Sequence, residues 1–236
     1  MKIINRRVTV VTNLILALII IIVGTISFLP EQILPIYGKN TQGAIYRGNE
    51  KNNCVSLMFN VYENTAIVNS IIDVLDEHGV KATFFVGGCW ADDNAQTLVK
   101  IIDSGHEIGN HGYFHKDHKK LSYQDNASEI NNTSVVINSL CGVKPTLFAP
   151  PSGSYSECTL QVAEDLGYKV IMWSKDTIDW RDKDEQKVYN RATKNPKNGD
   201  MILMHPKEHT LNVLPKIIEF YQTHGYELVS VSKNIK

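Results

Sequence analysis

The chain has 236 residues, 43% of them hydrophobic, and 24 Lys and Arg against 25 Asp and Glu give a formal net charge of -1. That length suffices for one sizeable domain with a well-buried core, or at most two small ones. A balanced charge without a basic stripe excludes the electrostatic footprint of a nucleic-acid partner.

The first 30 residues stand apart. Lys2, Arg6 and Arg7 precede an apolar run over 8–29 that is interrupted only by Thr9, Thr12, Asn13, Gly24, Thr25 and Ser27. About 20 helical residues cross a hydrocarbon core, so the run is long enough to span. The basic flank puts the N-terminus in the cytoplasm and everything after Pro30 outside. A cleaved signal peptide, and hence a secreted protein, is the alternative, but Thr25 and Ser27 offer only a weak cleavage site. The expectation is a single-pass anchor over 1–30 in the cell membrane. Residues 31–53 mix Pro35, Gly38, Asn40, Gly43 and charges without periodicity and are expected to form a linker.

From Cys54 to the end the pattern is that of a folded domain. Apolar, β-rich runs recur at 54–60, 81–86, 106–110, 146–149, 168–173, 201–204 and 226–231. Helical spacing separates them, as in Ile67, Ile71, Ile72 and Leu75 before the stop pair His78-Gly79, and again near 94–103, 122–140, 156–166, 184–195 and 210–223. Strands alternating with helices predict βα units and a parallel sheet. A closed or nearly closed barrel of about seven strands and an open doubly wound sheet both fit. No GxGxxG opens a helix after the first strand, which disfavours dinucleotide binding. Four cysteines, Cys54, Cys89, Cys141 and Cys158, lack CxxC spacing and allow three pairings, with free thiols the plainer reading.

In parallel α/β folds, ligands bind at the C-terminal ends of the strands. Here those ends carry Asn60, then His111 and His115 in "NHGYFH", "APPSG" over 149–153, Trp173, Asp176, Asp179 and Trp180 in "WSKDTIDW", and His205 in "LMHP". Each residue alone has an ordinary structural explanation. Their shared rim is what points to a site, and paired neutral imidazoles suit a divalent metal such as zinc.

The blocks "KATFFV", "SGHEIGNHGYFH", "APPSG", "WSKDTIDW" and "GDMILMH", in this order over about 54–231, resemble the polysaccharide deacetylases. The resemblance implies a distorted (β/α) barrel and metal-dependent removal of acetyl groups from N-acetylated sugars of a cell-wall glycan. It places His111 and His115 as metal ligands, His205 as the acid, and Asp179 as its orienting carboxylate. Trp180, Trp173, Pro150, Pro151 and Tyr155 would lie beside the substrate. The first block departs: the family ends it in "TFDDG", and this chain has "MFNVY". Asn60 stands at the position of the base and Val61 at that of the metal aspartate, while Ala149 replaces the arginine that braces the base. An amide takes up no proton at neutral pH, and valine ligates nothing. Glu63 and Asp176 are speculative substitutes for base or third ligand. The "NV", "APPSG" and "LMHP" variants resemble those of a membrane-anchored, sporulation-associated subgroup. The leading expectation is a zinc-type deacetylase with an altered site. The alternatives are an inactive carbohydrate-binding relative and a membrane-tethered structural component.

Overall fold

The computed structural model describes residues 11–21 and 43–236. The chain divides into two units, Met1–Asn40 and Thr41–Lys236. In the first, residues 11–21 form a helix, α1. The rest of the membrane segment expected over 8–29 lies outside the described residues, and no helix among the described residues is long and apolar enough to cross a membrane.

The second unit alternates β1 (Cys54–Val61), α2 (Thr65–Glu77), β2 (Thr83–Val86), α3 (Gly88–Asp93), α4 (Ala95–Asp103), β3 (Glu107–Asn110), α5 (Tyr123–Cys141), β4 (Leu147–Phe148), α6 (Glu157–Asp165), β5 (Lys169–Val170), β6 (Lys175–Asp176), α7 (Glu185–Thr193), β7 (Met201–Met204), α8 (Glu208–Thr223), β8 (Glu227–Leu228) and α9 (Val231–Asn234). Seven strands run parallel in the order β5, β4, β3, β2, β1, β7, β6, and β8 pairs with the start of β1. This is an α/β half-barrel. Among the described residues no strand pairing joins β5 to β6, so the barrel expected from the resemblance is open along that seam. Each of the seven expected strands has its counterpart. β6 had none in the pattern because Lys175–Asp176 is too short and polar to show a period.

β1 is buried on both faces. Val55, Leu57, Phe59 and Val61 pack outward with Val68, Ile71, Ile72 and Leu75 of α2. Met58 packs inward with Phe85 and Leu203. The α2 residues recur at three- and four-residue spacing, and Gly79 (φ 65°) ends the helix where only a residue tolerant of left-handed backbone fits.

Part of the expected linker belongs to this unit. Ile45 bridges Ile171 beside β5, and the Gly48 N–H donates to Gly199 O just before β7 at 2.8 Å. Residues 45–48 therefore cross from the β5 side to the β7 side of the seam. Scattered backbone bonds leave no periodic trace, which is why the sequence reads as a tether there. Arg47 pairs with Asp200, which is 1% exposed. Asp200 also accepts hydrogen bonds from the Ser174 hydroxyl at 2.7 Å and the Lys197 N–H at 2.9 Å, and Lys175 lies 3.6 Å away. The four cysteines are unpaired, with Cys54 buried.

Removing one partner of a buried ion pair leaves the others uncompensated, at about 3 kcal/mol or more. Asp200→Ala is expected to lower the unfolding free energy by about 3 kcal/mol in urea titrations. Glu50→Ala, which removes a mostly exposed partner 3.7 Å from Arg47, should change it by less than about 0.5 kcal/mol. Equal effects would remove Asp200 from its place as the centre of the seam.

Candidate functional site

Successive side chains of a strand point to opposite faces. Because Val61 packs outward and Met58 inward, Asn60 faces into the mouth of the half-barrel. A cavity of about 630 Å³ opens there, lined by Asn60, Tyr62, Glu63, His111, Phe114, His115, Ser152, Trp173, Asp176, Trp180, Leu203, His205, Pro206 and Lys207. The structure thus brings together most of the residues read from the strand ends. Asn60 is 5% exposed, and its Oδ1 is buried with no hydrogen-bond partner among the described residues.

His111 follows β3 and is 1% exposed. Its Nδ1 lies 2.7 Å from Ala149 O. A carbonyl can only accept, so Nδ1 carries the proton and Nε2 is left as an acceptor. Burial, helped by His115 nearby, pushes this imidazole down to about 3, so it stays neutral. The His115 backbone has φ 55°, and its ring stands edge-on to His111 and to Tyr62, each with centroids 5.2 Å apart.

The loop that carries both histidines is held from α5. The Glu129 carboxylate, 3% exposed, accepts from the Tyr113 N–H at 2.9 Å and the Phe114 N–H at 2.8 Å, and pairs with Lys116 at 3.1 Å. Asn110 braces the same turn by accepting from the Gly112 N–H at 2.9 Å. The Tyr62 hydroxyl donates to Tyr113 O at 3.0 Å. The Tyr62 ring lies against Gly87, where a Cβ would come within 2.1 Å of it.

His205 follows β7. Its Nδ1–H donates to Asp179 Oδ1 at 2.7 Å, while Asp179 Oδ2 accepts from the His205 N–H and the Thr210 hydroxyl, both at 2.7 Å. Burial pushes the Asp179 carboxyl up, but the bonds from His205 and Thr210 prevail and hold it below the usual range. The pair can give or take a proton through His205 Nε2. Trp180 is 55% exposed and Phe114 57%, so both rings stand at the rim, where Arg181 lies 5.9 Å from the Trp180 ring centroid and Lys116 5.4 Å from that of Phe114.

Several expected roles change. Glu63 is paired with Lys207 at the rim, and Asp176 Oδ1 accepts from the Ile178 N–H at 2.8 Å. Among the described residues neither forms, with His111 and His115, a group placed to hold a metal. Pro150, Pro151 and Tyr155 are not among the lining residues; the Tyr155 hydroxyl meets that of Tyr46 at 2.8 Å. From that segment it is Ser152, at φ 54°, that reaches the cavity, because the chain turns over at Pro151–Gly153. Tyr62, Phe114, Ser152 and Lys207 were absent from the sequence-based set. Phe114 had a signal, an aromatic residue inside the quoted polar block, whereas Lys207 had none. Glu129 and Thr210 lie far along the chain from the groups they hold.

The donor set does not fit a catalytic zinc site, which uses three protein ligands. His111 and His115 offer two imidazoles, Val61 packs in the outer core, and among the described residues no group of three His, Cys, Asp or Glu side chains is placed to hold a metal.

Residues 47–171 match the profile of the family described as "Polysaccharide deacetylase". The chain is 37% identical over 189 residues to the uncharacterized protein YlxY of Bacillus subtilis, covering 80% of this chain and 59% of that protein. It is 31% identical over 180 residues to the peptidoglycan-N-acetylmuramic acid deacetylase PdaC of the same organism, covering 76% of this chain and 38% of PdaC. The chain thus spans less than two thirds of either relative. Among solved structures it resembles BA3943 of Bacillus anthracis, described as a CE4 family pseudoenzyme, at 32% identity and a TM-score of 0.80 over 82% of this chain and 69% of that one. A mutant of BA3943 is described as having restored enzymatic activity.

An unfolded histidine titrates near pH 6.5, whereas folded His111 stays neutral down to about 3. Between these values the unfolded chain binds more protons, so stability falls as pH drops through that window. The unfolding free energy is expected to decline from pH 7 to pH 5, with at most about 1.4 kcal/mol per pH unit from this residue. His111→Gln should flatten the profile. Buried His118, also lowered chiefly by burial, keeps some slope. An unchanged slope in the variant would contradict a neutral, buried His111.

Proposed function

The chain belongs to the polysaccharide deacetylase family, and from that premise we propose that it is a catalytically inactive member that binds an N-acetylated cell-wall amino-sugar glycan of the peptidoglycan type. The observation that carries this reading is the end of β1. Asn60 occupies the inward position where the reaction needs a carboxylate base, and Val61 lies in the outer core where a metal carboxylate would start. Glu63 is paired with Lys207, and Asp176 Oδ1 accepts the Ile178 N–H. Trp180, Phe114 and the cavity between them remain suited to a run of sugar rings. The description of BA3943 as a pseudoenzyme supports the reading by analogy.

The intact His205–Asp179 pair favours a second reading, a deacetylase working through an altered site, with a weakly held divalent ion on His111 and His115. In either case, Lys2, Arg6 and Arg7 ahead of the apolar run over 8–29 support an anchor. The domain from about residue 54 onward then lies outside the cell membrane, facing the wall. The "NV", "APPSG" and "LMHP" variants support a place among the sporulation-associated, membrane-anchored relatives.

Acetate release from N-acetylglucosamine oligomers and peptidoglycan, measured with added zinc, separates the two readings. The wild-type chain is expected to release none, and Asn60→Asp/Val61→Asp/Ala149→Arg to gain about a hundredfold or more over background, the scale of general-base catalysis. Acetate release by the wild type, abolished in His205→Ala, would overturn the inactive reading. Equilibrium dialysis gives a second readout. Wild-type chain should take up little zinc at micromolar concentration, because His111 and His115 offer two ligands where a zinc site uses three.

A further inference from the structure

The two ends of β1 meet different surfaces. The cavity lies at the C-terminal end, whereas the N-terminal end joins a surface built from residues 47–53, 194–200 and 227–236. Hydrogen bonds knit these three segments into one face. The Asn49 N–H donates to Asn234 O at 2.8 Å, and Asn49 Nδ2 to Lys236 O at 2.9 Å. Asn198 Nδ2 donates to Glu50 O at 3.0 Å, and the Gly199 N–H to Cys54 O at 2.8 Å.

Charge sets this face apart from the rest of the domain. Residues 43–236 contain 20 Lys and Arg against 24 Asp and Glu, and the three segments hold six of those cations and three of those acids, leaving 14 against 21 elsewhere. An acidic domain therefore has one basic end. The acids of that end are already engaged: Asp200 is buried and paired with Arg47, Glu50 lies 3.7 Å from Arg47, and Glu227 pairs with Lys233. Lys51, Lys194 and Lys197 are exposed, and no ion pair among the described residues includes their side chains.

We infer that this basic end docks on an anionic bilayer surface and so turns the cavity away from the lipid. The inference rests on the anchor reading and specifies which face of the domain meets the membrane. Lysines are drawn to anionic headgroups only within about a Debye length, ~8 Å at physiological salt, so the unpaired lysines must lie at the surface, as these do. The length of chain outside the described domain favours lipid over a polyanion of the wall. Thirteen residues, 30–42, follow the apolar run, a reach of at most about 45 Å. So short a connection holds the basic end at high effective concentration beside the bilayer, and a few modest attractions then suffice. From Cys54 to Asn60 the strand rises about 20 Å, which separates the docked end from the cavity and leaves the cavity open toward the wall glycan.

Full chain reconstituted in vesicles of phosphatidylcholine, alone or mixed with phosphatidylglycerol, provides the test. Flotation reports anchoring, and labelling by a membrane-impermeant amine reagent, read by mass spectrometry, reports docking. The chain is expected to float with both vesicles. Labelling of Lys51, Lys194 and Lys197 should be about three- to fivefold slower on the anionic vesicles and should recover in about 0.5 M salt. Exposed Lys187 and Lys216, on α7 and α8, should label equally on both. Lys51→Glu/Lys194→Glu/Lys197→Glu should still float but lose the lipid-dependent protection of Lys233. Flotation with equal labelling of the three lysines on both lipids would overturn the docking and leave the anchor standing. Failure to float with either vesicle would overturn the anchor and the docking with it. Equal or stronger protection by a soluble poly(glycerol phosphate), added to chain in neutral vesicles, would overturn the bilayer assignment in favour of a wall polyanion.

Discussion

β1 is paired on both edges and packed on both faces, and the mouth of the half-barrel depends on the two-residue period that this imposes. Val55, Leu57, Phe59 and Val61 are committed to the layer under the helices, so Met58 and Asn60 have only the interior to face. A slip of one residue would put an amide among Val68, Ile72 and Leu75 and expose valine to the cavity. The register is therefore fixed by the hydrophobic layer, and the chemistry at the mouth is whatever residue falls on the inward beat. Here it is a carboxamide.

The loops around that mouth are held by buried polar groups on distant elements. Glu129 gathers two backbone N–H groups of the histidine loop, Asp179 gathers His205 and Thr210, and Asp200 gathers Arg47, Ser174 and the Lys197 N–H across the seam. Each is a carboxylate with its lone pairs occupied, the condition under which a buried charge rigidifies a site and does not weaken it. These braces also sustain unusual backbone. Asn64, His115, Ser152 and Ile178 all have positive φ, in the loops after β1, β3, β4 and β6. Such conformations cost about 1 to 3 kcal/mol each and persist only when the surroundings over-determine them. Ile178 is the sharpest case, since a β-branched residue fits that region poorly, and Asp176 stabilises it by accepting its N–H.

Against that rigid frame, the neutral residues at Asn60, Val61 and Ala149 form a consistent set. A lone arginine opposite Asn60, or a lone carboxylate at Val61 within the outer core, would each be an uncompensated buried charge. None is present. The His111 Nδ1–H donates to Ala149 O, and the His205–Asp179 pair is complete within itself. The cavity accordingly combines these neutral acceptors with the Glu63–Lys207 pair and the Asp176 carboxylate, and aromatic side chains stand at its rim.

Strand and helix periodicity follow from burial on one or both faces, and that pattern is local, so seven strands, the helices between them and the rim on which His111, His115, Trp173, Trp180 and His205 meet were all legible along the chain. The neutral end of β1 was legible too, since Asn60, Val61 and Ala149 stand where a related pattern has charges. Other features depended on contacts between residues far apart in sequence. Glu129 reaches the histidine loop from α5, residues 45–48 cross the seam, Tyr155 turns to Tyr46, and Lys207 takes Glu63 out of contention. Composition and spacing determined the fold class and which side chains share the rim, because backbone geometry repeats at fixed intervals. Only the tertiary structure decided which of those side chains are already engaged and that Asn60 Oδ1 is not, because hydrogen-bond satisfaction depends on partners brought close by the whole fold.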